Sequence, residues 1–490
     1  MLKIKIWEDN NLLNTLLKSY RKLSLPVKAT VWFGISQFLH KGISMLTAPF
    51  FLRLLSAEQY GLVSMFASWE NILLLLIAGA SHKGILNLCI RHDNRDKMMA
   101  GVMGYNITFS LLWILIFIVF NKRLKEVTGF GNVLLICLLL YCVFQNLING
   151  WSIRMQYDYK YKESVAVTVI YTAISSFTGL FSVIFISASA EAKIIPQAVI
   201  SVIIGIILLV LVFQKGGSYY DGESWKFLFC LCIPLMPHYL SEIVLQSWDY
   251  IMINHMCGAS DVAIYSVACS VSNLVSMLTT AVNAAFAPYQ FQQIKSQEYE
   301  ILARNTNRIM LFIAFCLCGM ILFRREIVLL FGGEKYTDSI GLIIPICLGI
   351  FFNYIFQLFA RVQEYFGQKN TIVLASVMCA ALNIILNCIF IPQYGYNAAA
   401  YTTFICYLVF CFLHYLFYRM ACNKHVKREI YDSKGLAAIS VILLAAAVVI
   451  HFVADIYFVK YSLLGIVTVV GIWKKEWILD ICSGMKKNGL

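Results

Sequence analysis

Charge is scarce in this sequence. Only 13% of its 490 residues are Asp, Glu, Lys or Arg, against roughly 25% in an ordinary soluble domain. A chain of this length cannot face water on all sides with so few charges, so a soluble globule is excluded. The phosphate-cradling pattern GxxxxGK[ST] is absent, so the chain hydrolyses no nucleotide itself. No Ser-His-Asp arrangement is visible. The sixteen cysteines lie scattered in apolar runs, as in Cys230-Leu-Cys232 and Cys316-Leu-Cys318. Without paired CxxC sets they make no zinc or disulfide framework, and they read as small buried apolar residues. Nor is a cleavable signal peptide visible.

In place of charge there is a 60% hydrophobic composition and a mean hydropathy of +0.74. Fourteen apolar runs of spanning length lie near residues 29–55, 61–82, 100–121, 131–152, 164–188, 194–213, 226–254, 261–288, 308–331, 340–366, 370–391, 397–419, 435–453 and 456–473. Their lengths suit a bilayer. Helices satisfy their own backbone groups in hydrocarbon, so the expected fold is an all-α polytopic membrane protein of about fourteen transmembrane helices. A basic, partly amphipathic lead at 1–28 precedes them, with Leu12, Leu13, Leu16 and Leu17 beside Lys18, Arg21 and Lys22. It suits an anionic inner leaflet.

The formal net charge of +13 does not point to nucleic acid, because no basic segment belongs to a soluble domain. It follows the membrane rule instead. With the N-terminus inside, cytoplasmic segments hold 27 Lys and Arg and the opposite side 9. That bias places both termini in the cytoplasm.

An internal repeat is visible. Leu55–Ser64 aligns with Cys257–Ser266 at an offset of 202, and each stretch follows a proline-bearing helix (Pro49; Pro234 and Pro237). The offset spans six helices, an even number, so the halves are parallel repeats about an axis along the membrane normal. The resulting organisation is an N-lobe at 29–213, a cytoplasmic linker at 214–225 and a C-lobe at 226–420. Two further helices occupy 421–473, and a cytoplasmic tail 474–490.

Several helices carry polar faces. Gln37, Lys41, Ser44 and Ala48 share one face of the first helix, by steps of four, three and four. Lys41 lies deep in its run, where a charge costs roughly 2.5 to 3.5 kcal/mol on insertion scales and normally faces protein or a wet cavity. His238, Glu242, Gln246 and Asp249 line one face of helix 7, and Asn353, Gln357, Arg361 and Glu364 one face of helix 10. Helix 8 adds Ser266, Ser270, Asn273, Thr280 and Asn283, and helix 2 Ser64, Ser68, Glu70 and Asn71. The plainer readings stand beside these. Small polar residues on helix 8 serve as interhelical contacts. Arg53 and Lys83 snorkel from helix ends. Arg361 and Glu364, three apart, neutralise one another. Basic groups in a low-dielectric cavity suit a phosphate or diphosphate headgroup, and acidic ones suit proton or sodium coupling.

Four stretches together resemble a known family. Lys41–Gly61 is similar to the first-helix signature of the polysaccharide biosynthesis flippases, the translocases of O-antigen and capsule repeat units. Leu329–Tyr336 resembles the stretch after helix 9. Asn383–Asn387, with Ile391-Pro392-Gln-Tyr-Gly395 and Ala398–Ala400, resembles the connection of helices 11 and 12, and Asp249 matches an aspartate late in helix 7. The resemblance covers about residues 29–420. It implies a MATE-like fold, two six-helix lobes around a cavity with two C-terminal helices, working by alternating access. The implied cargo is an undecaprenyl-diphosphate-linked oligosaccharide, moved from the cytoplasmic to the periplasmic leaflet of the bacterial inner membrane. Membrane lipids are implied partners, with a polysaccharide polymerase and a chain-length regulator as further candidates. Headgroup and sugar candidates are Lys41, Arg53, Arg361, Lys83, Gln37 and Gln357. Ion-coupling candidates are Glu242, Asp249, Glu70, His238 and Glu364, with no metal or cofactor beyond a proton or sodium ion.

Two alternatives compete. A cation-coupled drug exporter would share the fold, but Lys41 argues against cationic cargo. An integral-membrane polymerase is an enzyme and needs a sizeable periplasmic segment, whereas no outer loop here exceeds about fifteen residues.

Overall fold

The computed structural model describes residues 25–454 together with Ile456, Lys460 and Tyr461. The first 24 residues of the basic lead, most of the run at 456–473 and the tail at 474–490 therefore lie outside the described residues.

Among the described residues the chain is all-helical, with no strand. In order the helices are α1 (Leu25–Leu54), α2 (Ala57–Ile77), α3 (Ile85–Arg91), α4 (Arg95–Val119), α5 (Asn121–Thr128), α6 (Asn132–Tyr157), α7 (Tyr161–Phe185) and α8 (Ala190–Gly216). There follow α9 (Gly222–Met256), α10 (Ala259–Ser296), α11 (Tyr299–Leu322), α12 (Arg324–Gly332), α13 (Ile343–Tyr365), α14 (Lys369–Tyr394), α15 (Tyr396–His425) and α16 (Ser433–Val453). Short 3₁₀ segments lie at Ser81–Lys83 and Glu334–Leu342.

Eleven described helices are long and apolar enough to cross a membrane, or twelve when the two arms of bent α9 count as one span. The chain is thus a multi-pass membrane protein. Helix α1 is not in that set. Its 30 residues are long enough, but Gln37, His40 and Lys41 lower its hydropathy. The exterior is apolar: Phe177, Phe181 and Phe185 repeat every fourth residue along an exposed face of α7, as a hydrocarbon surround requires.

Helix ends follow local chemistry. Asn94 Oδ1 accepts from the Lys97 amide at 3.1 Å, Ser189 Oγ from the Ala192 amide at 3.2 Å, and Asp432 Oδ1 from the Gly435 amide at 3.0 Å. Each oxygen satisfies a donor that the first helical turn leaves unpaired. Prolines interrupt hydrogen bonding inside helices. In α9 the arms Gly222–Pro237 and Tyr239–Met256 meet at a bend of 47°.

Two compact units result. Unit 1 comprises the chain before Ala57 and Phe66–Leu240; unit 2 comprises Ala57–Met65 and the chain from Ser241. The division therefore falls within α9, beyond the expected linker at 214–225.

In unit 1, α6 packs on α8, and α7 on α1 and α8. Its α8–α9 connection lies against α4, where two glycines make room. A Cβ on Gly104 would sit 1.9 Å from the Tyr219 carbonyl oxygen, and one on Gly101 2.5 Å from Asp221 Cβ. Trp225 Nε1 donates to the Gly101 carbonyl at 2.8 Å, pinning the start of α9 to α4.

In unit 2, α15 packs on α13 and α14, α10 on α13, and α11 on α16. Leu245 of α9 joins Ala375, Cys379, Cys406 and Phe410 in an apolar cluster. That cluster carries the second arm of α9 against α14 and α15. Four residues further along α9 is Asp249.

Candidate functional site

Asp249 is 2% exposed. Its Oδ2 accepts from the Tyr265 hydroxyl at 2.8 Å and from Thr403 Oγ1 at 2.6 Å. Its Oδ1 accepts from Asn387 Nδ2 at 2.6 Å and from Asn383 Nδ2 at 3.4 Å. The donors come from α10, α14 and α15. Asn383 and Asn387 are i,i+4 on α14, so both amides reach the same carboxylate. A second layer holds them: Thr402 Oγ1 donates to Asn387 Oδ1 at 2.5 Å.

Four neutral donors fill the four lone-pair directions of a carboxylate. None is a cation, so the hydrogen bonds hold the negative charge without neutralising it. A proton or a hard monovalent cation could reach this carboxylate only by taking the place of one of the four donors.

A second polar cluster in unit 2 surrounds Arg361, which is 8% exposed. Its guanidinium donates to Gln290 Oε1 and Asn283 Oδ1. Asn283 Nδ2 donates to Gln357 Oε1 at 2.9 Å, and Gln357 Nε2 to Asn353 Oδ1 at 2.6 Å. Gln290 Nε2 donates to the Tyr431 hydroxyl at 3.3 Å, and that hydroxyl to the Leu358 carbonyl at 3.2 Å. The cluster is one guanidinium set in amides, with no carboxylate hydrogen-bonded to it among the described residues. Glu364, offered by the sequence as its neutralising neighbour, is exposed and acts on Arg361 through its charge alone, while the guanidinium's hydrogen bonds go to the amides.

The remaining sequence candidates spread widely. In unit 1, Lys41 and Arg53 are exposed, and so is Lys83, whose Nζ lies 4.9 Å from the centre of the Tyr239 ring. Glu70 is hydrogen-bonded to Tyr141 and lies near Lys193. Next to Lys41, His40, which was not a sequence candidate, has its Nδ1 2.6 Å from Thr172 Oγ1. In unit 2, Glu242 and Gln246 are exposed while Asp249 is buried. The shared helix-7 face expected from spacing therefore divides between two environments. The side chains of Gln37 and His238 lie outside the described residues.

The structure thus joins Gln357 with Arg361 through Asn283, and leaves Asp249 apart from Glu242 and Glu364. Tyr265, Asn383, Asn387, Thr403 and Gln290 were not among the sequence candidates for a site. The i,i+4 pair Asn383 and Asn387 in an apolar run was the available signal.

Comparisons with known proteins converge. The family model described as "Polysaccharide biosynthesis protein" matches residues 50–341. A Shigella flexneri protein named as an O-antigen transporter is 22% identical over 421 residues, 81% of this chain and 99% of its own. A Haloferax volcanii protein named as a low-salt glycan biosynthesis flippase is 23% identical, over 79% of this chain and 82% of its own. Among solved structures, the lipid II flippase MurJ in an inward closed conformation superposes with a TM-score of 0.60 at 15% identity, covering 91% of this chain and 100% of its own. An inward-facing MATE family transporter of the MOP superfamily gives 0.59 at 14% identity, over 81% and 99%. At these identities the structural matches establish the fold, which is the MurJ and MATE fold. The match of the family model over more than half the sequence, on that fold, shows that the chain belongs to the polysaccharide biosynthesis protein family.

Proposed function

We propose that this protein is a flippase that moves an undecaprenyl-diphosphate-linked oligosaccharide repeat unit from the cytoplasmic to the periplasmic leaflet, by ion-coupled alternating access. The observation that carries the reading is the Arg361 cluster. A guanidinium among the amides of Asn283, Gln290, Gln357 and Asn353 offers a positive charge to which no carboxylate is hydrogen-bonded among the described residues, and a strip of neutral donors and acceptors. Diphosphate oxygens suit the first and sugar hydroxyls the second. A cationic drug would meet repulsion there, which disfavours the exporter reading. The names of the family and of the relatives support glycan cargo.

Lys41, Arg53 and Lys83 are the further headgroup candidates. Asp249 is the coupling group: a proton or sodium ion that displaces one of the donors Tyr265, Thr403, Asn383 and Asn387 supplies the counter-charge that they do not. Glu70 is a second coupling candidate. The inner membrane, with both termini cytoplasmic, is the location that the lysine and arginine bias supports. A repeat-unit polymerase and a chain-length regulator are proposed partners.

The test is complementation. Expression in a bacterium lacking its repeat-unit flippase should restore surface polysaccharide and clear the accumulated lipid-linked glycan. Arg361→Ala should do neither while remaining in the membrane. Full surface polymer from Arg361→Ala would remove the cationic cluster from the mechanism.

A further inference from the structure

We infer that the crossing of the first turns of α2 with the first turns of α10 is the extracytoplasmic closure of the transporter, built from the internal repeat itself. The side assignment rests on the orientation proposed above; the contacts do not.

The 202-residue offset aligns Ser64 with Ser266. In the folded chain these two residues touch: Ser64 Oγ donates to Ser266 Oγ at 2.8 Å, across a separation of 202 residues. A residue meets its own repeat counterpart only where the local axis relating the two helices passes. Both serines are buried, at 8% and 6% exposure. One turn earlier the backbones themselves meet. A Cβ on Gly61 would stand 1.8 Å from the Ala259 carbonyl oxygen and 2.6 Å from its carbon. Only a residue without a side chain permits this approach. The first-repeat glycine, and the alanine at 263 opposite it in the alignment, are thereby distinguished: one of the pair admits a backbone and the other does not have to.

The surroundings complete a closure. Tyr60 is buried, and its hydroxyl is hydrogen-bonded with Ser266 and Ser270. Tyr336, from the Leu329–Tyr336 motif, is fully buried in the same unit, packed on Gly332, where a Cβ would meet its ring at 2.5 Å. The Tyr336 hydroxyl is buried, with no hydrogen-bond partner among the described residues. Small residues joined by one serine pair make a contact that is tight yet separable. The Asp249 cage, with its four donors, has none of that character. With α2 following α1 from a cytoplasmic N-terminus, this crossing stands on the extracytoplasmic side, and cargo release requires it to part.

The experiment uses the full-length chain carrying Ser64→Cys and Ser266→Cys. Their side-chain oxygens are 2.8 Å apart, so cysteines at these positions bring their sulfurs together, and the single variants control for the native cysteines. Oxidation in cells should form the 64–266 crosslink, seen as a linked peptide by mass spectrometry, and stop glycan export at least ten-fold. Reductant should restore export. A crosslinked protein exporting at the uncrosslinked rate would overturn the inference. An independent reading needs no cargo. In Ser64→Cys, labelling at residue 64 by a membrane-impermeant maleimide added outside should rise several-fold when Gly61→Ala wedges the crossing. Labelling from the cytoplasmic side only, or no change on adding Gly61→Ala, would also overturn it. If export fails in every form while the labelling rises as expected, the flippase reading falls and the closure stands.

Discussion

The carboxylate of Asp249 meets two hydroxyls and two amides and, among the described residues, no positive charge. A structural aspartate would tolerate conversion to asparagine with modest cost, because its neutral donors can re-pair. A coupling aspartate would not. Asp249→Asn should therefore reduce export at least ten-fold while the protein keeps its membrane level, as read by glycan flux against immunoblot. Normal flux would remove Asp249 from coupling. Asn387→Ala acts differently. It strips the 2.6 Å donor from Oδ1 and leaves a buried acceptor short, worth about 1–3 kcal/mol, so its thermal midpoint in detergent should fall. At Arg361 the lysine variant is informative. Lysine keeps the charge but not the fork that reaches Gln290 and Asn283 together. Arg361→Lys should retain part of the export that Arg361→Ala loses.

Two elements carry the argument one level up. Helix α9 is shared between the units, its first arm anchored to α4 by Trp225 and the glycines 101 and 104, its second bearing Asp249. Gly104→Leu would drive a side chain into the Tyr219 backbone and should loosen that anchor. The expected readout is faster proteolysis in the 214–225 connection, with the Asp249 cage intact. Helix α16 starts at Asp432, whose carboxyl is held below the usual range by the Gly435 amide, then by Asn307 Nδ2 at 2.8 Å. A lowered value in the folded state means that this cap contributes above the ordinary aspartate range and is lost as pH falls through the folded value. Asp432→Ala should cost about 1 kcal/mol at neutral pH. The difference from the parent chain should vanish in acid, as melting curves at neutral and at strongly acidic pH would show.

At the scale of the whole molecule, the membrane architecture was legible because it rests on local signals. Apolar run length and the scarcity of charge announce spanning helices whatever they pack against. The repeat was legible too, since Leu55–Ser64 and Cys257–Ser266 each open a helix after a proline-bearing one. The site was legible only in part. Lys41, Arg361 and Asp249 stand out because charge in an apolar run is costly. Their partners do not, because Asn383 and Asn387 are neutral residues more than 130 positions from Asp249, and such residues look like ordinary packing contacts. The i,i+3 proximity of Arg361 and Glu364 places their charges within reach of one another, but did not show that the guanidinium's hydrogen bonds go to Gln290 and Asn283. Helical spacing says which side chains are near, not which environment each enters. The same limit divided Glu242 from Asp249 on one apparent face of α9.

The central claim is translocation of a lipid-linked glycan, and vesicles test it most directly. The purified chain is reconstituted with undecaprenyl-diphosphate-linked oligosaccharide, and glycan reaching the far leaflet is measured by an impermeant lectin or glycosidase, with and without a proton or sodium gradient. The account predicts protein-dependent transfer that rises with one of the two gradients and falls at least ten-fold in Arg361→Ala and in Asp249→Asn. Transfer equal to that of protein-free vesicles under both gradients, or transfer unchanged by both substitutions, would contradict it.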